Sequence, residues 1–270
     1  MNWYSKEISE WLSPYDAYFS INLLVNSGSG VCEIGVYKGG FLITILRNIP
    51  GLSALAIDPF PGLDSIKSVF WDNLKLNGLE QNVQLLPNYL SIKCKSFDLI
   101  HIDGEHSEDA VLQDLLFAQN NLAQRGIIVV DDIWHPLFPG VISATMKFVH
   151  QSRFVPFLST QQKMYLCLEA EHEFHFSRAQ KLLKDFDIPH SSGWLKGEAN
   201  HKGVIAAYEQ SNSIKGYRQL MVFHKTKVEQ AIILRLTKHR SKLLIRVLHQ
   251  LLPPLAISIF AKLASKRKQI

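Results

Sequence analysis

The chain has 270 residues, 47% of them hydrophobic, which allows a large packed core and excludes a disordered chain. Cys32, Cys94 and Cys167 are widely separated with no Cys-x-x-Cys pair, so neither a zinc site nor a disulfide framework is indicated, and a reducing cytoplasm is expected. The net charge of +5 is uneven: residues 225–270 hold 11 Lys and Arg against one acid, Glu229, leaving 18 bases and 23 acids in the first 224 residues, so the body of the chain is acidic and no nucleic-acid partner is expected.

Residues 1–28 read as a helical lead-in. MNWYSKEISEWLSPYDAYF sets charge and aromatics in a helical pattern and lacks the apolar core and cleavage site of a signal peptide. Over 29–170, apolar β-rich runs alternate with helix-period segments, the pattern of βαβ units on a parallel sheet. The runs are VCEIGV, SALAID, VQLLP, FDLIHID, GIIVVDD, RFVPFLST and KMYLCLEA, with helices expected at 39–48, 64–78, 106–122 and 140–151. Only Gln161 and Gln162 join the last two runs, too short for a helical crossover, so these form an antiparallel hairpin. Residues 171–224 lose the rhythm and are expected to be an irregular acceptor or lid region. Residues 225–270 read as a basic amphipathic helical tail.

Five alternating units and a terminal hairpin resemble the class I S-adenosylmethionine methyltransferases. The resemblance implies a Rossmann-like α/β fold, a doubly wound, seven-stranded, mostly parallel sheet. The first βα turn, CEIGVYKGG, places Tyr37 where a dinucleotide fingerprint needs glycine, so a nicotinamide cofactor is disfavoured. Gly35 and Gly39 are expected to let backbone approach a ligand at the switch point of the sheet. Asp58, 23 residues after Gly35, fits a carboxylate that accepts both ribose hydroxyls. By resemblance, Glu33 lies near the ammonium of the cofactor's methionine moiety, and Asn88 and Tyr89 of LLPNYLS lie near its adenine.

FDLIHIDGEHSEDAVLQDL places Asp103 at the end of the fourth strand, on the rim shared with Gly35 and Asp58 and so within the cofactor-binding set. GIIVVDD brings Asp131 and Asp132 to the same rim. Three converging carboxylates repel one another, and a divalent cation is the simplest compensation; an all-oxygen set suits Mg²⁺ or Mn²⁺. The paired motifs resemble the macrocin O-methyltransferase-like group of metal-dependent sugar methyltransferases over about residues 25–170. There the acids matching Asp103, Asp131 and Asp132 hold the metal, which orients adjacent substrate hydroxyls. Glu108 departs from this pattern, standing where tyrosine is common.

Methyl transfer to a hydroxyl needs its proton removed, and a general base adds on the order of 10²–10⁴-fold. His106 is the first candidate, ahead of Glu105, which needs desolvation for the role. His101, inside a strand, reads as a core histidine; His172 and His175 read as surface residues. Trp134 and His135 either floor the acceptor pocket or pack the loop that follows the acids. The expected acceptor is a sugar or glycan hydroxyl. The alternatives are a small catechol or phenol, whose vicinal oxygens chelate the same metal, and a non-catalytic cofactor-binding member of a glycan-assembly complex, with a homo-oligomer open in each case. In the tail, Arg235, Lys238, Lys242 and Arg246 form a basic stripe, and Ile232, Leu236, Leu243, Val247 and Leu251 a largely separate apolar face. This predicts either peripheral contact with an anionic membrane or packing on protein.

Overall fold

Strands that are apolar on both faces need cover on both faces, and this chain supplies it by threading helices between parallel strands. A computed structural model describes residues 12–25, 28–90, 92, 96–185, 188, 190–194 and 203–207, with 190–194 as backbone alone. All of these lie within one compact unit, Asn2–Val222. The basic tail and the first eleven residues are outside the described residues.

Strands β1 (Val31–Ile34), β2 (Ala54–Ile57), β3 (Val83–Leu86), β4 (Phe97–Ile102) and β5 (Leu122–Val130) pair in parallel in the order β3-β2-β1-β4-β5. The order reverses between β1 and β4, and outside their carboxyl ends lies the crevice where open α/β sheets bind ligands. The expected hairpin is present: β6 (Phe154–Ser159) and β7 (Met164–Leu168) are antiparallel, with β7 inserted between β5 and β6.

Helix α1 (Pro14–Leu23) begins at Ser13, whose Oγ accepts the Tyr15 and Asp16 N–H groups at 3.1 and 3.4 Å. Helices α2 (Gly40–Asn48), α3 (Asp64–Leu76), α4 (Glu108–Asn121) and α5 (Pro139–Gln151) fall within two residues of the expected bounds. The region expected to be irregular is partly ordered: α6 (His172–Asp185) is followed by β8 (His190–Trp194) and β9 (Gly203–Ala207), and β9 pairs in parallel with β6. The sheet therefore has nine strands among the described residues, not seven. HSSGW and GVIAA carry too little alternation to be read as strands.

Two cores lie on opposite faces. Val31, Leu99, Ile127 and Val129 belong to one, with residues of α1, α2 and α6; Cys32, Ile34, Ile100, Ile102 and Ile128 belong to the other, with residues of α4 and α5. Because strand side chains alternate, Glu33 shares a face with Val31, His101 with Leu99, and Asp131 with Val129. Three polar groups are thereby threaded along the α1–α2–α6 face toward the carboxyl rim.

Candidate active site

The glycine turn after β1 is held by protein contacts. Gly35 has φ +81°, and a Cβ there would meet the Asp103 carbonyl oxygen at 2.0 Å; Gly39 has φ +83°, and a Cβ there would meet Phe70 Cδ2 at 2.9 Å. The closeness expected toward a ligand is thus, at these two positions, closeness to β4 and α3. Asp58 braces the same turn: Oδ2 accepts the N–H groups of Val36 and Tyr37 at 3.1 and 3.2 Å, and Oδ1 accepts that of Phe60 at 2.8 Å. A ribose would have to use the remaining lone pairs. Asn88 is exposed and caps its own turn by accepting the Leu90 N–H. Tyr89 stacks on Phe117 at 4.5 Å and donates to Asp114, so its ring is committed to packing.

Glu33 is buried and is drawn into a chain that crosses β1, β4, β5 and the start of β7. Its Oε1 lies 3.0 Å from His101 Nδ1; His101 Nε2 lies 3.0 Å from Lys163 Nζ; Lys163 Nζ donates to Asp131 Oδ2. Burial and Lys163 disfavour a second proton on His101, while Asp131 and Glu33 favour one. The nitrogen–nitrogen contact decides the matter. An ammonium has no lone pair, so His101 accepts at Nε2 and carries its proton on Nδ1, which donates to Glu33. Phe41 stacks on the imidazole at 3.8 Å and shields it. His101 is the core histidine expected. Glu33 Oε2 is buried without a hydrogen-bond partner among the described residues. A donor cation such as the ammonium of a methionine moiety fits that orphaned oxygen.

Lys163 was not singled out by sequence, because it opens a run read as a strand; a charged residue at the end of a two-residue hairpin loop was the available signal. It is 1% exposed. Burial pushes its pKa down, and Asp131, Asp16 and Asp103 outweigh that, so it stays cationic. Burial likewise opposes ionisation of Asp131, but Lys163 and His101 hold its carboxyl well below the usual range. The other Asp131 oxygen accepts the Asp132 N–H at 2.8 Å. Both oxygens are therefore engaged. A cation shared by Asp103, Asp131 and Asp132 would have to compete with Lys163 at Asp131 Oδ2.

What remains open at the rim is Asp103, His106 and Asp132. His106 Nε2 lies 3.4 Å from Asp132 Oδ2 and 3.7 Å from Asp103 Oδ1, with the ring stacked on Phe138 at 4.1 Å. Nε2 is buried and has no hydrogen-bond partner among the described residues. The facing Asp103 carboxylate, most of all, raises the pKa of the imidazole despite burial. Asp132 holds a left-handed backbone, φ +52°, and its own pKa is raised by burial first and then by Asp131 and Asp103. Glu105 is exposed, outside the shielded surroundings its proposed role required. Glu108 lies on the surface between α4 and α5, accepting from Ser143 and facing Lys147. Trp134 is 53% exposed with its Nε1 tied to Ser159 and Thr160. His172 and His175 are buried, not on the surface: His172 Nε2 donates to the Gly203 carbonyl at 2.7 Å, and His175 stacks on Phe157. Apolar neighbours from β6 and β9 cover a helix face that looked polar in sequence.

Residues 32–133 match the family described as a methyltransferase domain. The doubly wound sheet with its terminal antiparallel hairpin is that of a Rossmann-like methyltransferase fold, and the match spans 102 of the 270 residues. A protein of Acanthamoeba polyphaga mimivirus, described as uncharacterized, is 23% identical over 138 residues, which is 46% of this chain and 62% of that one. The chain thus spans less than two thirds of that relative. Among solved structures, a putative O-methyltransferase from Klebsiella pneumoniae aligns at 20% identity over 57% of this chain and 79% of its own, with a TM-score of 0.45. A TDP-rhamnose 3′-O-methyltransferase of calicheamicin biosynthesis aligns at 17% identity over 57% and 78%, with a TM-score of 0.44. No helix among the described residues is long and apolar enough to cross a membrane.

Proposed function

We propose that the protein transfers a methyl group from S-adenosylmethionine to a hydroxyl oxygen of a sugar or glycan. The observation that carries the reading is the unpartnered Nε2 of His106, held between Asp103 and Asp132 at the carboxyl ends of β4 and β5, beside the braced glycine turn. The sugar class is supported by the paired IDGEHSEDAVLQDL and GIIVVDD motifs.

The cofactor, when bound, supplies an electrophilic methyl group on a sulfonium. The glycine turn and Asp58 would fix the pocket wall, and Glu33 Oε2 would hold the cofactor's ammonium. His106 Nε2 would take the hydroxyl proton as the methyl group passes to the hydroxyl oxygen and the sulfur departs as a thioether, leaving His106 as an imidazolium. Asp103 and Asp132 stabilise that imidazolium by charge, and Phe138 holds its plane. With Asp131 committed to Lys163, no step is routed through a metal.

The test uses cofactor with an isotopically labelled methyl group and glycan or lipid-linked glycan fractions. Label should appear in the glycan as the mass of one CH₂, and His106→Ala should lower kcat by about 10²–10⁴-fold with S-adenosylhomocysteine binding retained. Glu105→Gln should stay near wild type. Intact cofactor binding with no label in any fraction would refute the transferase reading.

A further inference from the structure

We propose that Lys163 is a built-in counter-cation, occupying at Asp131 the place that a divalent metal holds in the enzymes this sequence resembles, so that Asp131 ligates no metal while Lys163 is present. The ammonium is delivered by a rigid turn. Lys163 N donates to Thr160 Oγ1 at 2.9 Å, and Thr160 N donates to the Lys163 carbonyl at 2.9 Å. That turn is tied on one side to α1, through Thr160 Oγ1 to Asp16 at 2.8 Å, and on the other to the loop after β5, through Ile133 N to the Gln162 carbonyl at 3.0 Å. These contacts fix the backbone at Lys163, and its Nζ is held by His101 and Asp131 in a buried setting.

Two groups of ligand atoms come close enough to share an ion: His101 with Asp103 and Asp131, and Asp103 with His106 and Asp132. In the first, both His101 Nε2 and Asp131 Oδ2 already face the lysine, and a second cation would meet an ammonium in a low-dielectric site. The second group does not include Asp131, so Lys163 does not close it. Lys163 is thus a positioning residue that fixes Asp131 and the Asp131–Asp132 turn.

The inference rests on the methyltransferase reading only for where a metal was expected, and its test involves no turnover. Mn²⁺ is titrated into the full-length protein and followed by electron paramagnetic resonance, with S-adenosylhomocysteine binding measured in parallel to report separately on the cofactor pocket. In wild type, Asp131→Asn should leave Mn²⁺ affinity unchanged. Lys163→Ala should raise Mn²⁺ affinity by about tenfold or more, and Asp131→Asn in that background should remove the gain. A merely structural lysine would produce no such gain. Mn²⁺ binding by wild type that Asp131→Asn weakens would overturn the proposal. So would a folded Lys163→Ala that binds no better than wild type. If Lys163→Ala fails to fold, the comparison of wild type with Asp131→Asn decides alone.

Discussion

His175 is 0% exposed and has no hydrogen-bond partner on either ring nitrogen among the described residues. Burial, then the Arg178 guanidinium, pushes its pKa down to about 4 from 6.5. Between those values the unfolded chain binds a proton that the folded chain refuses, so stability contributed by the neutral ring is complete above about pH 6.5 and is lost as pH falls toward 4. The loss is at most about 3 kcal/mol. Asp16 and Asp114, raised to about 6 chiefly by burial, act in the opposite sense, because the folded state binds their protons first. The measurement is therefore a difference: urea midpoints of wild type and His175→Phe should converge above pH 7, and wild type should fall faster on acidification. Parallel curves would contradict the assignment. The site was only partly legible at this scale. Asp103, Asp131 and Asp132 were found because carboxylates at the ends of apolar runs are conspicuous, and His106 because it follows them. Lys163 was missed because it reads as the first residue of a strand, and its place at the end of a two-residue hairpin loop was the one sign of a role that changes what Asp131 can do.

Elements with strong periodicity were readable, and those held by one or two tertiary contacts were not. Helices α2 to α5 and strands β1 to β7 follow from apolar runs, glycines and loop lengths in the sequence. The β8–β9 hairpin does not, since it exists by pairing with β6 through Leu158–Ile205 and Ser159–Ala206. The His172 bond to Gly203 ties β9 to α6. Losing that bond costs about 1–2 kcal/mol locally. In His172→Ala, amide exchange over 203–207 should accelerate about tenfold while exchange in β1 and β4 is unchanged. Equal protection in both proteins would show that β9 is held by its strand pairing alone.

For the whole molecule, the sequence separated an acidic body from a basic tail, and the tail lies outside the described residues. Its stripe of Arg235, Lys238, Lys242 and Arg246 supports attachment to an anionic membrane at about 1 kcal/mol per basic residue near the surface. The protein should float with anionic vesicles, not neutral ones, and be released by salt or by removal of residues 225–270; intact protein that never floats would leave a packing role. Within the described body, the residues other than glycine with positive φ are Tyr37, Phe60 and Asp132, at +46°, +48° and +52°. They follow β1, β2 and β5, all on the carboxyl rim, and each left-handed residue costs about 1–2 kcal/mol. The hydrophobic faces hold the chain together, while the rim stands under conformational tension. On warming, the groups that grip a ligand would slacken before the sheet lets go, and catalytic competence would end at a lower temperature than the fold itself.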